Sequence, residues 1–102
     1  HSTFSAAAAE VLALFTGSQD FGAFVEIDTF QFETAPPEGP VVLEWETFED
    51  AADEAGLSRI FGGIHFEDGD LNGRDLGTEV GTNVYQTAQL YIDGTADDFF
   101  FA

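Results

Sequence analysis

The stretch Ser58-Arg59-Ile60-Phe61-Gly62-Gly63-Ile64-His65-Phe66-Glu67-Asp68-Gly69-Asp70 holds one of only two arginines, in a chain without lysine, and one of only two histidines. The arginine and the histidine lie six residues apart. Arginine suits a tetrahedral oxyanion, because its planar fork donates to two oxygens at once and stays charged. Gly62 and Gly63 offer a backbone that a ligand can approach closely, and the imidazole of His65 can serve as a nucleophile or ligand through one nitrogen. The same residues also have a structural reading: Arg59 has many acids to pair with, and His65 can be a satisfied histidine of the core. Composition alone leaves both readings open.

A second pattern overlaps the end of the stretch. Asp68, Asp70, Asn72 and Gly73, followed by Glu79, occupy the first, third, fifth, sixth and twelfth places of an EF-hand calcium loop. Asp75 falls at the eighth place, where that loop normally carries an apolar residue, and Gly62-Gly63 makes a poor entering helix. The competing expectation is a helix beginning near Asp70, with Asp68 and Asp70 as its caps. A small acidic calcium-binding or interaction module, holding the ion with Asp68, Asp70, Asn72 and Glu79, is the alternative function.

Composition narrows the class. The 102 residues carry a net charge of -18, yet 44% are hydrophobic and 15% aromatic, too apolar for a disordered acidic tail. So strong a negative charge repels phosphates and anionic lipid, which argues against a nucleic-acid or membrane-surface partner. Acids spread along the chain, with no lysine, suggest adaptation to high salt, where screening relieves self-repulsion. Without cysteine there is no disulfide framework or thiolate chemistry, and compartment cannot be read from redox. No run reaches the ~18 apolar residues of a transmembrane span, and none resembles a signal peptide. A start at histidine and the lack of methionine suggest a piece cut from a longer protein.

Outward from the central stretch, Phe4, Ala8, Val11, Leu12 and Phe15 recur at helical spacing around Ala6 to Ala9, which predicts a helix over 2–16. Ser2 or Thr3 is its expected N-cap and Gly17 its stop. His1 then lies off the donor-rich, positive end, where an anion sits. Residues 20–45 read as irregular or short-stranded: Phe24, Val25, Ile27, Phe30 and Phe32 suit strands, Pro36, Pro37, Gly39 and Pro40 a loop, and Val41 to Leu43 with Trp45 an apolar return. Thr47 opens a second helix over 47–55 as a capping box with Asp50, burying Phe48, Ala51, Ala52 and Ala55 and ending at Gly56. A turn at 58–63 presents Arg59. A third helix is expected over 70–92, with Leu76, Val80, Val84 and Tyr91 on one side. Its Gly73, Gly77 and Gly81 mark a face where another helix comes close, since each glycine costs about 1 kcal/mol against alanine. Asp75, Glu79 and Asp93 exclude the membrane version of that pattern. The final Phe99-Phe100-Phe101 docks on this domain or a partner, or the chain continues.

Ser58-Arg59 followed after five residues by His65 resembles the third signature motif of the vanadium-dependent haloperoxidase and type 2 phosphatidic acid phosphatase superfamily. The opening His1-Ser2-Thr3-Phe4-Ser5-Ala6-Ala7-Ala8 resembles the second motif, which reads proline-serine-glycine-histidine and leads into a helix. Ala51-Ala52-Asp53-Glu54-Ala55-Gly56 and Gly62-Gly63-Ile64-His65-Phe66 are especially similar to the bacterial haloperoxidase-related branch. The resemblance spans nearly the whole chain.

It implies a mainly α fold, the C-terminal part of a haloperoxidase-like helical bundle, with residues 1–102 a single fragment of one larger domain. It also implies a centre that binds vanadate or phosphate. His65 is then the axial ligand of vanadate in an enzyme that oxidises halide with peroxide, or the phosphorylated nucleophile of a phosphatase that needs no cofactor. Arg59, with Gly63, holds the oxyanion, and His1 is the acid-base histidine; histidines on opposite sides of the centre suit in-line displacement. The first motif, with its lysine and arginine-proline, is missing, as are the serine and glycine before His1, so the fragment alone is expected to be inactive. In the phosphatase pattern an aspartate follows the histidine by four residues; that place is Gly69 here, which leaves open whether Asp68 or Asp70 orients His65. The implied partners are the remainder of a parent chain or a second copy, and a small anion.

Overall fold

Gly73, Gly77 and Gly81 let helix α1 (Ser2–Thr16) lie directly against helix α3 (Glu67–Asp93), as their spacing predicts. The protein is seen in a computed structural model that describes residues 1–28 and 39–100, with side chains as far as Asp98. A Cβ on Gly77 would run into the Thr3 carbonyl and lie 2.7 Å from Ala6 Cβ; on Gly81 it would lie 2.7 Å from the Ala7 carbonyl and 2.8 Å from Glu10 Cβ. On Gly73 it would lie 3.1 Å from Ser2 Cβ. These contacts keep one constant offset between the two helices, so α1 and α3 run parallel. Backbone approach, not side-chain bulk, makes the seam.

The buried apolar residues are correspondingly small, Ala6, Ala9, Ala52 and Ala96, joined by Gly56, Gly77 and Gly81. The large apolar residues that define the helical periodicity lie outside: Phe4 is 83% and Phe15 75% exposed, and Leu12, Leu76, Val80, Val84 and Tyr91 are exposed too. The periodicity finds both helices, but the face it marks is not the face the seam buries.

Helix α2 (Phe48–Phe61) begins as expected. Thr47 Oγ1 accepts from the Asp50 N–H at 3.0 Å, and Asp50 Oδ2 accepts from the Thr47 N–H at 3.3 Å. It does not end at Gly56, and 58–61 is helix, not turn. Gly56 sits inside the helix because Asp70 Oδ1 and Ser2 Oγ press against it, leaving no room for a side chain. Of the predicted stripe, Ala52 is buried, Phe48 and Ala51 are half-buried and Ala55 is exposed.

Two further corrections concern helix starts. The N-cap of α1 is His1, not Ser2 or Thr3, because the Ser2 hydroxyl is engaged by Asp70. Helix α3 starts at Glu67 with Phe66 as N-cap, so Asp68 and Asp70 lie within its first turn and do not cap it. Gly17 ends α1 as expected, with φ 76°.

Strands β1 (Asp20–Ile27) and β2 (Val41–Thr47) form an antiparallel hairpin, pairing Val25 with Leu43 and Ala23 with Trp45. An irregularity between Asp20 and Ala23 contains Gly22 at φ 66°, the conformation a bulge needs. Phe21 packs on Phe48 (5.0 Å between centroids) and stacks on Trp45 (6.4 Å), which roots the hairpin on the start of α2. The expected strand residues Phe30 and Phe32 and the prolines Pro36 and Pro37 lie outside the described residues, as does Phe101. A short α4 (Ala96–Phe100) follows Gly94. Among the described residues no helix is long and apolar enough to cross a membrane.

Two glycines of α3 test the seam. Gly77→Ala should destabilise the chain by about 1–3 kcal/mol, because overpacking outweighs the propensity gain. Gly69→Ala, with open space around the new methyl, should be neutral or stabilising by up to about 1 kcal/mol. Urea unfolding of the two variants checks this ordering.

Candidate functional site

His1 and His65, 64 residues apart in sequence, meet in space: His1 Nδ1 lies 3.3 Å from His65 Nε2. Their rings stand edge to face, 87° apart, with centroids 4.9 Å apart. One of the two nitrogens must carry the proton and the other the lone pair, so the pair presents a donor and an acceptor at one point. His65 Nδ1 is buried and has no hydrogen-bond partner among the described residues.

The place where the rings meet is set by the parallel helices. His1 is the N-cap of α1 and His65 directly precedes the N-cap of α3, and neither helix has a side-chain cap hydrogen bond. Two sets of first-turn N–H groups therefore start beside the imidazoles. Glu67, Asp68 and Asp70 offset the positive end of α3, whereas α1 has no acid of its own in its first turn.

The segment between α2 and α3 delivers His65 by a tight turn. Gly62 N–H donates to the Ser58 carbonyl at 3.0 Å, Gly63 N–H to Ile60 at 2.9 Å and Ile64 N–H to Arg59 at 3.1 Å. Gly63 adopts φ 72° with open space beside it, so its glycine answers a backbone need. Arg59 sits in the last turn of α2 and its Nε donates to Ser58 Oγ at 3.2 Å. Among the described residues no hydrogen bond joins its guanidinium to either histidine.

A charged group is buried one residue from His1. Asp70 is 1% exposed; its Oδ1 accepts from Ser2 Oγ at 2.6 Å and from Arg74 Nε at 3.1 Å, and its Oδ2 from Arg74 Nη2 at 2.6 Å. Arg74 Nη2 also reaches the Asp53 carbonyl at 3.2 Å, and Nη1 lies 3.5 Å from the Asp53 carboxylate. The hydrogen bond from Arg74, then that from Ser2, hold the Asp70 carboxyl below its ordinary value of 3.8; desolvation opposes them, and the Arg74 and His65 charges add to them. Asp70 in turn keeps Arg74 firmly charged.

Residues 1–94 match the family described as the VCPO second helical-bundle domain. The chain belongs to this family. The crystal structure of an apo-type bacterial vanadium-dependent chloroperoxidase is similar to it, with a TM-score of 0.74 and 17% identity over 83% of this chain and 19% of that one. This chain thus corresponds to about a fifth of that chloroperoxidase's length. No curated protein matches it. The helices with their short hairpin are the fold expected of a C-terminal haloperoxidase-like bundle.

Within this second helical-bundle domain, the structure brings together His1 and His65 of the predicted site and leaves Arg59 nearby in sequence, on the preceding helix. It does not gather Asp68, Asp70, Asn72 and Glu79 into a loop. They lie along the continuous helix α3, where about 1.5 Å of rise per residue spreads them over three turns, and Asp70 is already engaged by Ser2 and Arg74. No cluster of three or more His, Cys, Asp or Glu suited to a metal ion occurs among the described residues. Local sequence assigns Ser2 and Gly56 to helix ends and gives Arg74 no role, whereas the structure joins all three around Asp70. The rarity that singles out Arg59 applies equally to Arg74, which follows Asp70 by four residues, the spacing of a helical ion pair.

The depressed value of Asp70 has a definite sign. Its contribution to stability is complete above the ordinary value of 3.8 and is lost as pH falls through the lower folded value. Between about pH 4 and pH 2 the urea midpoint of the wild type should therefore fall more steeply than that of Asp70→Asn. Parallel pH profiles would contradict this assignment.

Proposed function

We propose that this chain carries the histidine-bearing part of an oxyanion site in a vanadium-haloperoxidase-like enzyme. The contact of His1 with His65 at the converging starts of α1 and α3 carries the reading. In a chain of net charge -18, an anion needs such a local concentration of donors to bind at all.

The donor set suits vanadate: two imidazoles that meet at their ring nitrogens, and the first turn of α1, which has no side-chain cap. His65 would hold the group through Nε2, Arg59 would neutralise its oxygens, and His1 would pass a proton at Nδ1. Bound vanadate supplies the Lewis acidity for oxidising halide with peroxide. A phosphate ester presents the same tetrahedral oxyanion, with His65 as nucleophile and His1 as the acid for the leaving group. The haloperoxidase reading is put first because the matched family is described as a VCPO domain.

The chain is part of a larger helical bundle in this reading. Its radius of gyration is 17.4 Å, against about 13 Å for a compact domain of ~100 residues. The outward Phe4, Phe15, Leu76, Val80 and Val84 are then faces that further helices cover. A high-salt setting accounts for the charge, and a urea midpoint that rises steadily with KCl is the expected result.

Calorimetric titration with orthovanadate tests the site. His65→Ala and Arg59→Ala should each weaken binding by about tenfold or more, the weight of a charge-assisted hydrogen bond. Equal binding by wild type and both variants, or none by wild type, contradicts the reading.

A further inference from the structure

The contact between the two histidines needs a lock on the first turn of α1, because helix ends fray and His1 has no side-chain cap of its own. The glycine seam brings that turn close, through Gly73 at Ser2 and Gly77 at Thr3, but it supplies only van der Waals contact and no directional bond. Ser2 does. Its hydroxyl donates at 2.6 Å to Asp70, which follows His65 by five residues and lies in the first turn of the helix that begins just after that histidine.

The acceptor is itself fixed. Arg74 grips both oxygens of Asp70 and reaches α2 through the Asp53 carbonyl, so one carboxylate ties α1, α2 and α3 together. Gly56 makes the room, for a Cβ there would collide with Asp70 Oδ1 and lie 2.9 Å from Ser2 Oγ. A buried ion pair is weak evidence for stability in itself, because desolvation opposes the attraction. Its strength is geometric: the bidentate fork aims the carboxylate at Ser2.

We propose that Asp70 is a positioning residue of the oxyanion site: held by Arg74, it fixes Ser2 and thereby keeps His1 beside His65, where an oxyanion on His65 Nε2 would meet His1 Nδ1. Its catalytic meaning rests on the oxyanion reading, but its geometric content does not. A displacement of His1 by about an ångström is enough to lose up to a hundredfold in a reaction that depends on alignment.

The test compares the full chain with Ser2→Ala by NMR, circular dichroism and orthovanadate titration. Helix content should stay unchanged, the NOE between the His1 and His65 rings should disappear, and the Kd for orthovanadate should rise about tenfold. Ser2→Cys, which keeps the volume with only a weak S–H donor, gives the same readings should the alanine variant lose helix. A wild-type NOE in a folded Ser2 variant overturns the proposal, whatever the affinity. A wild-type chain that does not bind orthovanadate sinks the oxyanion reading, while the NOE comparison still decides the role of Asp70.

Discussion

The close parallel approach of α1 and α3 is the constraint on which the rest of this structure depends. Parallel helices place like dipole ends side by side, which is unfavourable unless something negative, or a set of engaged donors, lies at the positive ends. In α3 three acids of the first turn meet that need; in α1 none does. The helix with no first-turn acid of its own is the one that begins at His1, and only the Asp70 carboxylate, shared with Arg74, reaches it through Ser2. The same approach carries His1 to His65, so the arrangement that costs electrostatic energy also creates the place where an oxyanion would recover it.

Small residues make that approach possible, and they set the character of the core. Alanine and glycine bury little apolar area, so the seam gains from many short dispersion contacts more than from hydrophobic transfer. The hydrophobic mass of the chain, Phe4, Phe15 and the Leu76 to Val84 row, is turned outward and adds little to the stability of these residues by themselves. Specificity within the seam then falls to polar groups. Asp70, with Ser2 and Arg74, supplies a directional contact that sliding of one helix along the other would break.

Much of this was legible in the residues. Four alanines in helical register and the Thr47 to Asp50 capping box express local preferences that tertiary packing does not oppose, and the four-residue glycine spacing marks a close helix contact because its local cost needs a tertiary reason; all three appear in the structure. Arg59 and His65 stood out because basic groups are rare here, and His1 because the second motif places a histidine before a helix. What local sequence does not carry depends on contacts between distant segments. Gly56 reads locally as a helix stop; it is a helix interior because Asp70 arrives from α3. Ser2 reads as an N-cap, but its hydroxyl finds a charged acceptor 68 residues away. The outward face of α1 looks like a core stripe by periodicity, which records that a face is apolar and not what covers it.

A crystal structure of the full chain grown with orthovanadate tests the central claim, that His1 and His65 form one oxyanion site, most directly. The anion should lie against His65 Nε2, with His1 and Arg59 within hydrogen-bond reach of its oxygens. Histidine rings separated by more than about 10 Å, beyond the reach of any single oxyanion's hydrogen bonds, or vanadate bound away from His65, would contradict it.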